Sequence, residues 1–187
     1  MAVRNININF NDNYEVESIS EDLRESVFTT TLENGMQVPL HVEISDVAHG
    51  LLPNVYNLAF GPRKNNGVID DKIELQHANY SKVFSTILFH AFAYLQNNPE
   101  HSIGIDGSDN VRAFLYYLTL QRNYDYLSQR FEILGLKYYV RITRFGKNQY
   151  DNPFDFDDII PEPVQIEKGV AIKHELLYNY FIFKLKN

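Results

Sequence analysis

The stretch Ile103-Gly-Ile-Asp-Gly-Ser-Asp-Asn-Val-Arg-Ala-Phe-Leu-Tyr116 decides how the middle of the chain folds. Apolar residues alternate with small or polar ones over residues 102–106, which predicts a short buried strand. Gly107 and Ser108 predict a sharp turn, with Ser108 as the N-cap of an amphipathic helix over residues 109–122. The inner face of that helix is expected to consist of Val111, Phe114, Leu115 and Leu118.

The composition is that of a globular chain with a sizeable core. It has 187 residues, 44% of them hydrophobic, and includes 13 Phe and 13 Tyr, which predicts a single domain over residues 1–187. The absence of cysteine excludes disulfides, thiolate metal sites and cysteine nucleophiles. Neither an apolar run of about 18 residues nor a signal-peptide core is visible, so we expect a cytoplasmic protein with no membrane partner.

Hydrophobic periodicity divides the chain into three regions. Residues 1–75 alternate in the manner of a β-hairpin meander, including a strand at 6–10 and a strand pair at 54–60 and 68–75. Residues 79–130 form a helical region with a central short strand, and its first helix, over 80–96, is capped by Asn79 and apolar on both sides. Residues 131–187 hold C-terminal strands, a short hairpin that pairs Ile166 with Val170, and an irregular acidic loop. The fold class is therefore α+β, with a largely antiparallel sheet of five or more strands, one buried helix and a strand-turn-helix unit.

The register of the first hairpin follows from its loop. A two-residue Asn34-Gly35 turn would pair Leu32 with Gln37 and mix the two faces of the sheet. A three-residue loop with a left-handed Gly35 pairs Phe28 with Leu40, which gives a consistent apolar face. We predict the three-residue loop. Pro39 cannot donate a ladder hydrogen bond, which indicates an edge strand.

The charge distribution is uneven. A net charge of −7 disfavours general nucleic-acid binding, yet seven basic and two acidic residues lie between Arg112 and Lys147. The strand over residues 137–144 has a predicted binding face, which consists of Lys137, Tyr139, Arg141 and Arg144. That face is solvated, or binds nucleic acid, or is neutralised by the acidic loop at 151–162, either in the same chain or in a homodimer.

Four motifs carry a family resemblance. They are Val55-Tyr-Asn-Leu-Ala-Phe-Gly-Pro62, Gly67-Val-Ile-Asp-Asp71, Lys82-Val-Phe-Ser-Thr86, and Gly107-Ser-Asp-x-x-Arg-x-x-Leu-Tyr116. Across residues 54–122 the chain resembles an uncharacterised family of small proteins, a domain of unknown function found mainly in Bacteroidota. The resemblance implies an α+β domain and no activity, and residues 141–158 depart from the family's pattern.

The candidate catalytic residues are Asp71, Asp106, Ser108, Arg112 and Tyr116. A helix start can bind an anion, and Arg112 and Tyr116 stand four residues apart on one flank of the helix, as a carboxylate or phosphate pocket requires. Ordinary helix capping and an Asp109–Arg112 ion pair explain the same residues. Asp71 is expected on a half-buried face of its strand. No metal site and no cofactor are predicted, and the histidines show no ligand spacing.

Two classes of function follow. The first is a non-enzymatic binding or interaction module, with a protein or nucleic-acid partner. The second is a small enzyme that acts on a phosphate-containing substrate by nuclease or phosphotransfer chemistry, with its site around Ser108, Arg112 and Tyr116. The first is preferred, because every candidate catalytic group also has a structural explanation.

Overall fold

In the described part of the chain, the fold consists of an eight-stranded sheet and three helices. The computed structural model describes residues 5–71, 73–107, 109–142, 154–173 and 177–186, and it confirms the α+β class. The strand order is β1-β2-β3-β4-β5-β8-β6-β7. The elements are β1 (Val16–Ile19), β2 (Glu25–Thr31), β3 (Gln37–Ala48), β4 (Val55–Gly61), α1 (Tyr80–Asn97), β5 (Ser102–Asp106), α2 (Asn110–Arg122), α3 (Tyr124–Leu127), β6 (Phe131–Ile142), β7 (Phe154–Gln165) and β8 (Tyr180–Leu185).

The β2–β3 hairpin has the predicted three-residue loop. Phe28 pairs with Leu40, and the Leu32 amide donates to the Met36 carbonyl at 2.8 Å. Gly35 closes the loop with a φ of 82°. The expected edge position of Pro39 is wrong, because β3 lies between β2 and β4. Strand β3 pairs with β4 only from His41 onward. Pro39 therefore precedes the part of β3 that pairs with β4, and its partner in the ladder is Thr29 of β2.

Strands β4 and β5 form the parallel pair of the described sheet, and α1 is the crossover between them. Parallel neighbours require such a crossover, whereas the other pairs are antiparallel. The Asn79 side chain accepts from the Lys82 amide, as predicted for the α1 cap. Helix α1 buries a broad face that includes Ile87, Ala91 and Leu95. It thereby covers the centre of one face of the sheet.

Two clusters of buried side chains lie on opposite faces of the sheet. The larger cluster includes Phe28, Leu40 and Phe183 of the sheet together with residues of the helices. The smaller cluster consists of Leu52, Val55, Leu136, Tyr180 and Ile182. Because β8 contributes to both clusters, it is buried on its two faces.

The N-terminal segment is extended but is not the predicted strand. Ile6, Ile8 and Phe10 are buried as their alternation indicates, yet residues 5–9 belong to no β-ladder. Side chains of the helices take the place of a neighbouring strand, because they accept hydrogen bonds from the backbone of this segment. Alternation therefore gave the correct buried face and the wrong hydrogen-bond partner.

Three further strand predictions need correction. The return strand over 68–75 is reduced, in its described residues, to an isolated bridge between Arg63 and Ile69. The expected irregular acidic loop is strand β7 from Phe154 onward, paired with β6. The expected hairpin pairing of Ile166 with Val170 does not form, because β7 ends at Gln165 and the Ile166 amide donates to the Ile133 carbonyl.

Helix α2 is rotated relative to the predicted orientation. Its buried face is formed by Ala113, Tyr117 and Leu120. Val111, which was expected inside, is 60% exposed, and Phe114 is 37% exposed. The close approach of Ala113 to Gly107 determines this rotation, since a Cβ on Gly107 would stand 2.8 Å from the Ala113 Cα. Backbone proximity thus outweighs the burial of two larger side chains.

Candidate functional site

A recess opens where β4 and β5 separate. The two strands pair from Val55 with Ser102 to Asn57 with Gly104, and the pairing then stops. Helix α2 begins just beyond the carboxyl end of β5. Ligands of sheets with parallel strands commonly bind at the carboxyl ends of neighbouring strands, at such a gap. A ligand site is therefore expected at this end of the β4–β5 pair.

The N-terminus of α2 is capped by Asp109. Its carboxylate accepts from the amides of Val111 and Arg112, both at 2.9 Å. The prediction of Ser108 as N-cap is therefore wrong, and Ser108 itself lies outside the described residues. An anionic cap satisfies the first-turn amides and neutralises the positive end of the helix dipole. A phosphate that bound at this helix end would have to displace the Asp109 carboxylate.

Four of the five candidate residues line the recess together. Its walls are Asn57, Leu58, Ala59, Phe60, Asp71, Ile105, Asp106, Arg112 and Tyr116. The empty space amounts to about 340 Å³, including the solvent in its mouth. The recess therefore has room for a small polar group.

Arg112 is held at the border of the recess by contacts on two sides. Its Nη1 donates to the backbone carbonyl of Asp71 at 2.5 Å, and its Nε lies 3.6 Å from the Asp109 carboxylate. The predicted Asp109–Arg112 pair is thus present. Asp71 is exposed and does not lie on the expected half-buried face. Its carbonyl, rather than its carboxylate, contacts the guanidinium.

Tyr116 stays a hydrogen-bond donor at neutral pH. Burial raises the pKa of Tyr116 to about 12; Arg112 opposes this shift, while Asp106 and Asp71 reinforce it. Its ring packs edge-on against Phe84, with ring centroids 6.1 Å apart. A phenol with such a pKa can donate to a ligand and is a poor general base.

The charge around the recess disfavours a phosphate. Among the described residues, Asp71 and Asp106 line it with Arg112, and Asp109 adds a third carboxylate beside the guanidinium. An anionic group would meet repulsion from these carboxylates. No group of three or more His, Asp or Glu among the described residues is arranged to hold a metal ion. The arrangement is better suited to a neutral or cationic hydrogen-bond donor.

An apolar cavity adjoins the recess. It shares Phe60, Ile105 and Tyr116 with the recess, and its other walls are Phe84, Ile87, Leu88, Thr119, Leu120, Phe181 and Phe183. Sequence reasoning missed the contributions of Asn57, Phe60 and Ile105. The usable signal was the order strand, long helix, strand over residues 54–106, which is typical of a parallel pair and its ligand-binding end.

The predicted binding face lies on a two-stranded ribbon of β6 and β7. Strand β8 pairs with β6 only from Phe131 to Gly135, whereas β7 continues along β6 to Ile142. Lys137, Tyr139 and Arg141 are exposed on β6, and Arg144 lies outside the described residues. Their neighbours are acidic or apolar. Lys137 pairs with Glu162, Tyr139 with Ile160, and Arg141 with Asp155.

Contacts across the ribbon reinforce this register. The Tyr139 hydroxyl donates to the Glu162 carboxylate at 2.9 Å, which, with the charge of that carboxylate, raises the pKa of Tyr139. Tyr139 is nevertheless 51% exposed, and Ile160 is 58% exposed. The acidic segment thus accompanies the basic strand in the same chain and leaves the Tyr139–Ile160 pair exposed beside the Lys137–Glu162 pair.

The fold and the recess define an α+β protein with one parallel strand pair inserted in an antiparallel sheet. The chain belongs to a family of unknown function, DUF6934, whose model matches residues 10–156. No curated protein and no solved structure matches the chain. None of the helices described here is long and apolar enough to cross a bilayer.

Proposed function

We propose that this protein is a non-enzymatic interaction module and that its β6–β7 ribbon binds a second copy of the chain. The ribbon runs beyond the end of β8, so residues 136–142 have only β7 beside them among the described strands. On one face of the ribbon Leu136 is buried, and the Tyr138 hydroxyl lies 3.4 Å from His49 Nε2. The opposite face, which carries Tyr139 and Ile160, is open. Docking of a second copy on this face would bury it and stabilise the ribbon of each copy.

The observation that carries the proposal is the charge pattern of one ribbon face. Tyr139 and Ile160 form an exposed apolar pair. Lys137 and Glu162 form the next pair in register on one side of it, and Arg141 follows on β6 beyond a shift in register after Val140. A two-fold axis along the ribbon would lay the cationic strand of one copy over the acidic strand of the other. Such a face is complementary to itself, as an isologous interface requires.

The edge of the ribbon is unsuited to strand addition. Pro161 pairs with Tyr138, and Pro163 pairs with Leu136. Prolines two residues apart point their nitrogens the same way, and an edge strand tolerates them when those nitrogens face away from the neighbouring strand. The outer edge of β7 therefore lacks two donors, which hinders edge-to-edge pairing. The second copy is expected on the face of the ribbon.

Nucleic acid is a less favoured partner. Over residues 136–142 and 154–163 the sequence has two basic residues against four acidic ones. Affinity for nucleic acid depends mainly on cations that neutralise phosphates. The cations of β6 are thus offset by the acids of β7, and a protein surface is the better match.

Sedimentation equilibrium tests the dimer with a matched pair of variants. Tyr138 and Tyr139 are adjacent on β6, similarly exposed, and on opposite faces. Wild type at about 100 µM is expected to sediment as a dimer. Tyr139→Ser should yield monomer, whereas Tyr138→Ser should remain dimeric. A monomeric wild type, or equal loss of dimer in both variants, would refute the proposal, as would salt-dependent binding of RNA or DNA by the ribbon in place of self-association.

A second candidate function is small-ligand binding at the recess, including the enzymatic alternative. The convergence of Asp71, Asp106, Arg112 and Tyr116 favours it. NMR titrations with a simple alkylamine and with inorganic phosphate separate the ligand classes. The amine is expected to shift the resonances of Asn57 and Arg112, and Arg112→Gln should change that response. A shift with phosphate alone, or turnover of a phosphate ester lost in Arg112→Gln at unchanged melting temperature, would support the enzyme instead.

A further inference from the structure

The N-terminal segment occupies a groove between α1 and the junction of α2 and α3. Its backbone amides donate alternately to the two walls. Asn7 and Asn9 donate to the hydroxyls of Ser81 and Ser85 on α1, both at 2.9 Å. The amide of Ile8 donates to Asn123 Oδ1 at 2.8 Å on the other side.

The second wall completes the pattern. The Phe10 amide donates to the Tyr126 hydroxyl at 2.8 Å. Asn123 also donates through Nδ2 to the Ile6 carbonyl at 3.0 Å. Asn123 therefore accepts a hydrogen bond from the backbone of Ile8 and donates one to the backbone of Ile6, as a neighbouring strand would. Side chains of the groove thus satisfy an extended backbone that has no ladder of its own.

The floor of the groove selects apolar residues at alternate positions. Ile6, Ile8 and Phe10 are 1%, 3% and 8% exposed, respectively. The Phe10 ring is surrounded by four aromatic rings, those of Phe89, Phe92, Tyr126 and Phe131, at centroid distances between 5.5 and 6.4 Å. The intervening asparagines are exposed. An aromatic anchor in a pocket, with backbone contacts along its flanks, is the usual form of peptide recognition.

We infer that this groove is a peptide-binding site, occupied in cis by residues 5–10. Its ligand class is an extended protein segment with Ile, Ile and Phe, or similar residues, at every second position. A segment supplied in trans competes with the resident one, which therefore acts as a built-in competitor. The inference is independent of the ribbon, since none of its residues lies on β6 beyond Phe131 or on β7.

Displacement of the resident segment tests the inference in the full-length chain. Ile8→Asp would place a carboxylate in an apolar floor and release the segment. A fluorescein-labelled peptide of residues 5–14 should then bind Ile8→Asp at least about tenfold more tightly than wild type. The same peptide with its own Ile8→Asp change should not bind. Ile19→Asp, at a position 52% exposed and outside the groove, is the matched control and should behave as wild type.

Two further measurements guard against an unfolded variant. Asn123→Ala in the Ile8→Asp background should weaken peptide binding at least fivefold, as judged on protein with native circular dichroism. In wild type, hydrogen exchange at the amides of Ile8 and Phe10 should proceed by local opening, faster than at the buried amides of β8. Lack of peptide binding by a folded Ile8→Asp variant, or exchange at these amides only through global unfolding, would overturn the inference.

Discussion

The phenol of Tyr180 lies directly across Gly104, so that a Cβ on Gly104 would stand 2.0 Å from the Tyr180 hydroxyl oxygen and 2.3 Å from its Cζ. Gly104 belongs to β5. Tyr180 belongs to β8 and is a member of the smaller of the two buried clusters. The absence of a side chain at residue 104 is therefore a packing requirement. It lets an aromatic ring cover the middle of the sheet on the face opposite the helices.

Gly104→Ala is expected to destabilise the protein. The added methyl overlaps a buried ring, and overpacking of this kind costs about 1–3 kcal/mol. Urea denaturation measures the change in the free energy of unfolding. Gly50→Ala is the control, because a Cβ there meets no atom within 4 Å, and it should change stability little. Equal effects at the two glycines would contradict the packing argument.

Tyr180→Phe is expected to leave stability unchanged or to raise it by about 1 kcal/mol. The Tyr180 hydroxyl is buried and has no hydrogen-bond partner among the described residues, and burial raises its pKa. Removing an unsatisfied polar group removes its desolvation cost. Tyr117→Phe is the comparison, because that hydroxyl donates to the Val170 carbonyl and should cost about 1 kcal/mol. A larger loss at Tyr180 than at Tyr117 would show that its hydroxyl has a partner in solution.

Stability is expected to fall as the pH drops below about 6.5. His90 is buried on α1, and burial lowers its pKa from 6.5, against a smaller opposing effect of the backbone at Arg24 and Leu23. The unfolded chain takes up a proton in this range that the folded chain resists, so the stabilisation present above pH 6.5 is lost on acidification. Burial also lowers the pKa of His41 and His101.

His90→Gln isolates this contribution. Glutamine retains a donor and does not titrate, so the variant should lose less stability than wild type between pH 7.5 and pH 5.5. Urea midpoints at the two pH values give the comparison. Parallel losses in the two proteins would assign the pH dependence to other groups.

Asp109→Ala is expected to lower stability by about 1 kcal/mol, through loss of the α2 cap. Asparagine caps as well as aspartate, so Asp109→Asn should cost only the weaker charge interaction with the helix dipole, a few tenths of a kcal/mol. Thermal denaturation of wild type, Asp109→Asn and Asp109→Ala should show stability decreasing in that order. If alanine were tolerated as well as asparagine, the two amide contacts of the carboxylate would contribute nothing.

Local rules predicted the elements whose partners are close in sequence. The loop at Gly35 fixes the β2–β3 register because a one-residue slip would turn every side chain to the other face. The α1 cap and the β5 strand follow from similarly short patterns. These features depend on residues within about ten positions of one another.

The errors arise where tertiary contacts decide the outcome. The acidic segment was not recognised as β7, because Asp and Pro are poor strand formers and the neighbouring β6 determines its conformation. Helix α2 exposes Val111 and Phe114, while Ala113 packs against Gly107. For the candidate site, spacing on α2 placed Arg112 and Tyr116 together, but the contribution of β4 depended on a parallel pairing that periodicity does not reveal.

The position of β8 also bears on how the chain folds. Strands β1–β5 and strands β6–β7 are joined in the sheet through β8, and Asp106 on β5 meets Tyr180 only after more than seventy intervening residues. Contacts of such long sequence separation slow folding, since loop closure must precede them. A chain in which Tyr180–Leu185 has not yet inserted would present unpaired edges at β5 and β6, and such edges favour misassembly.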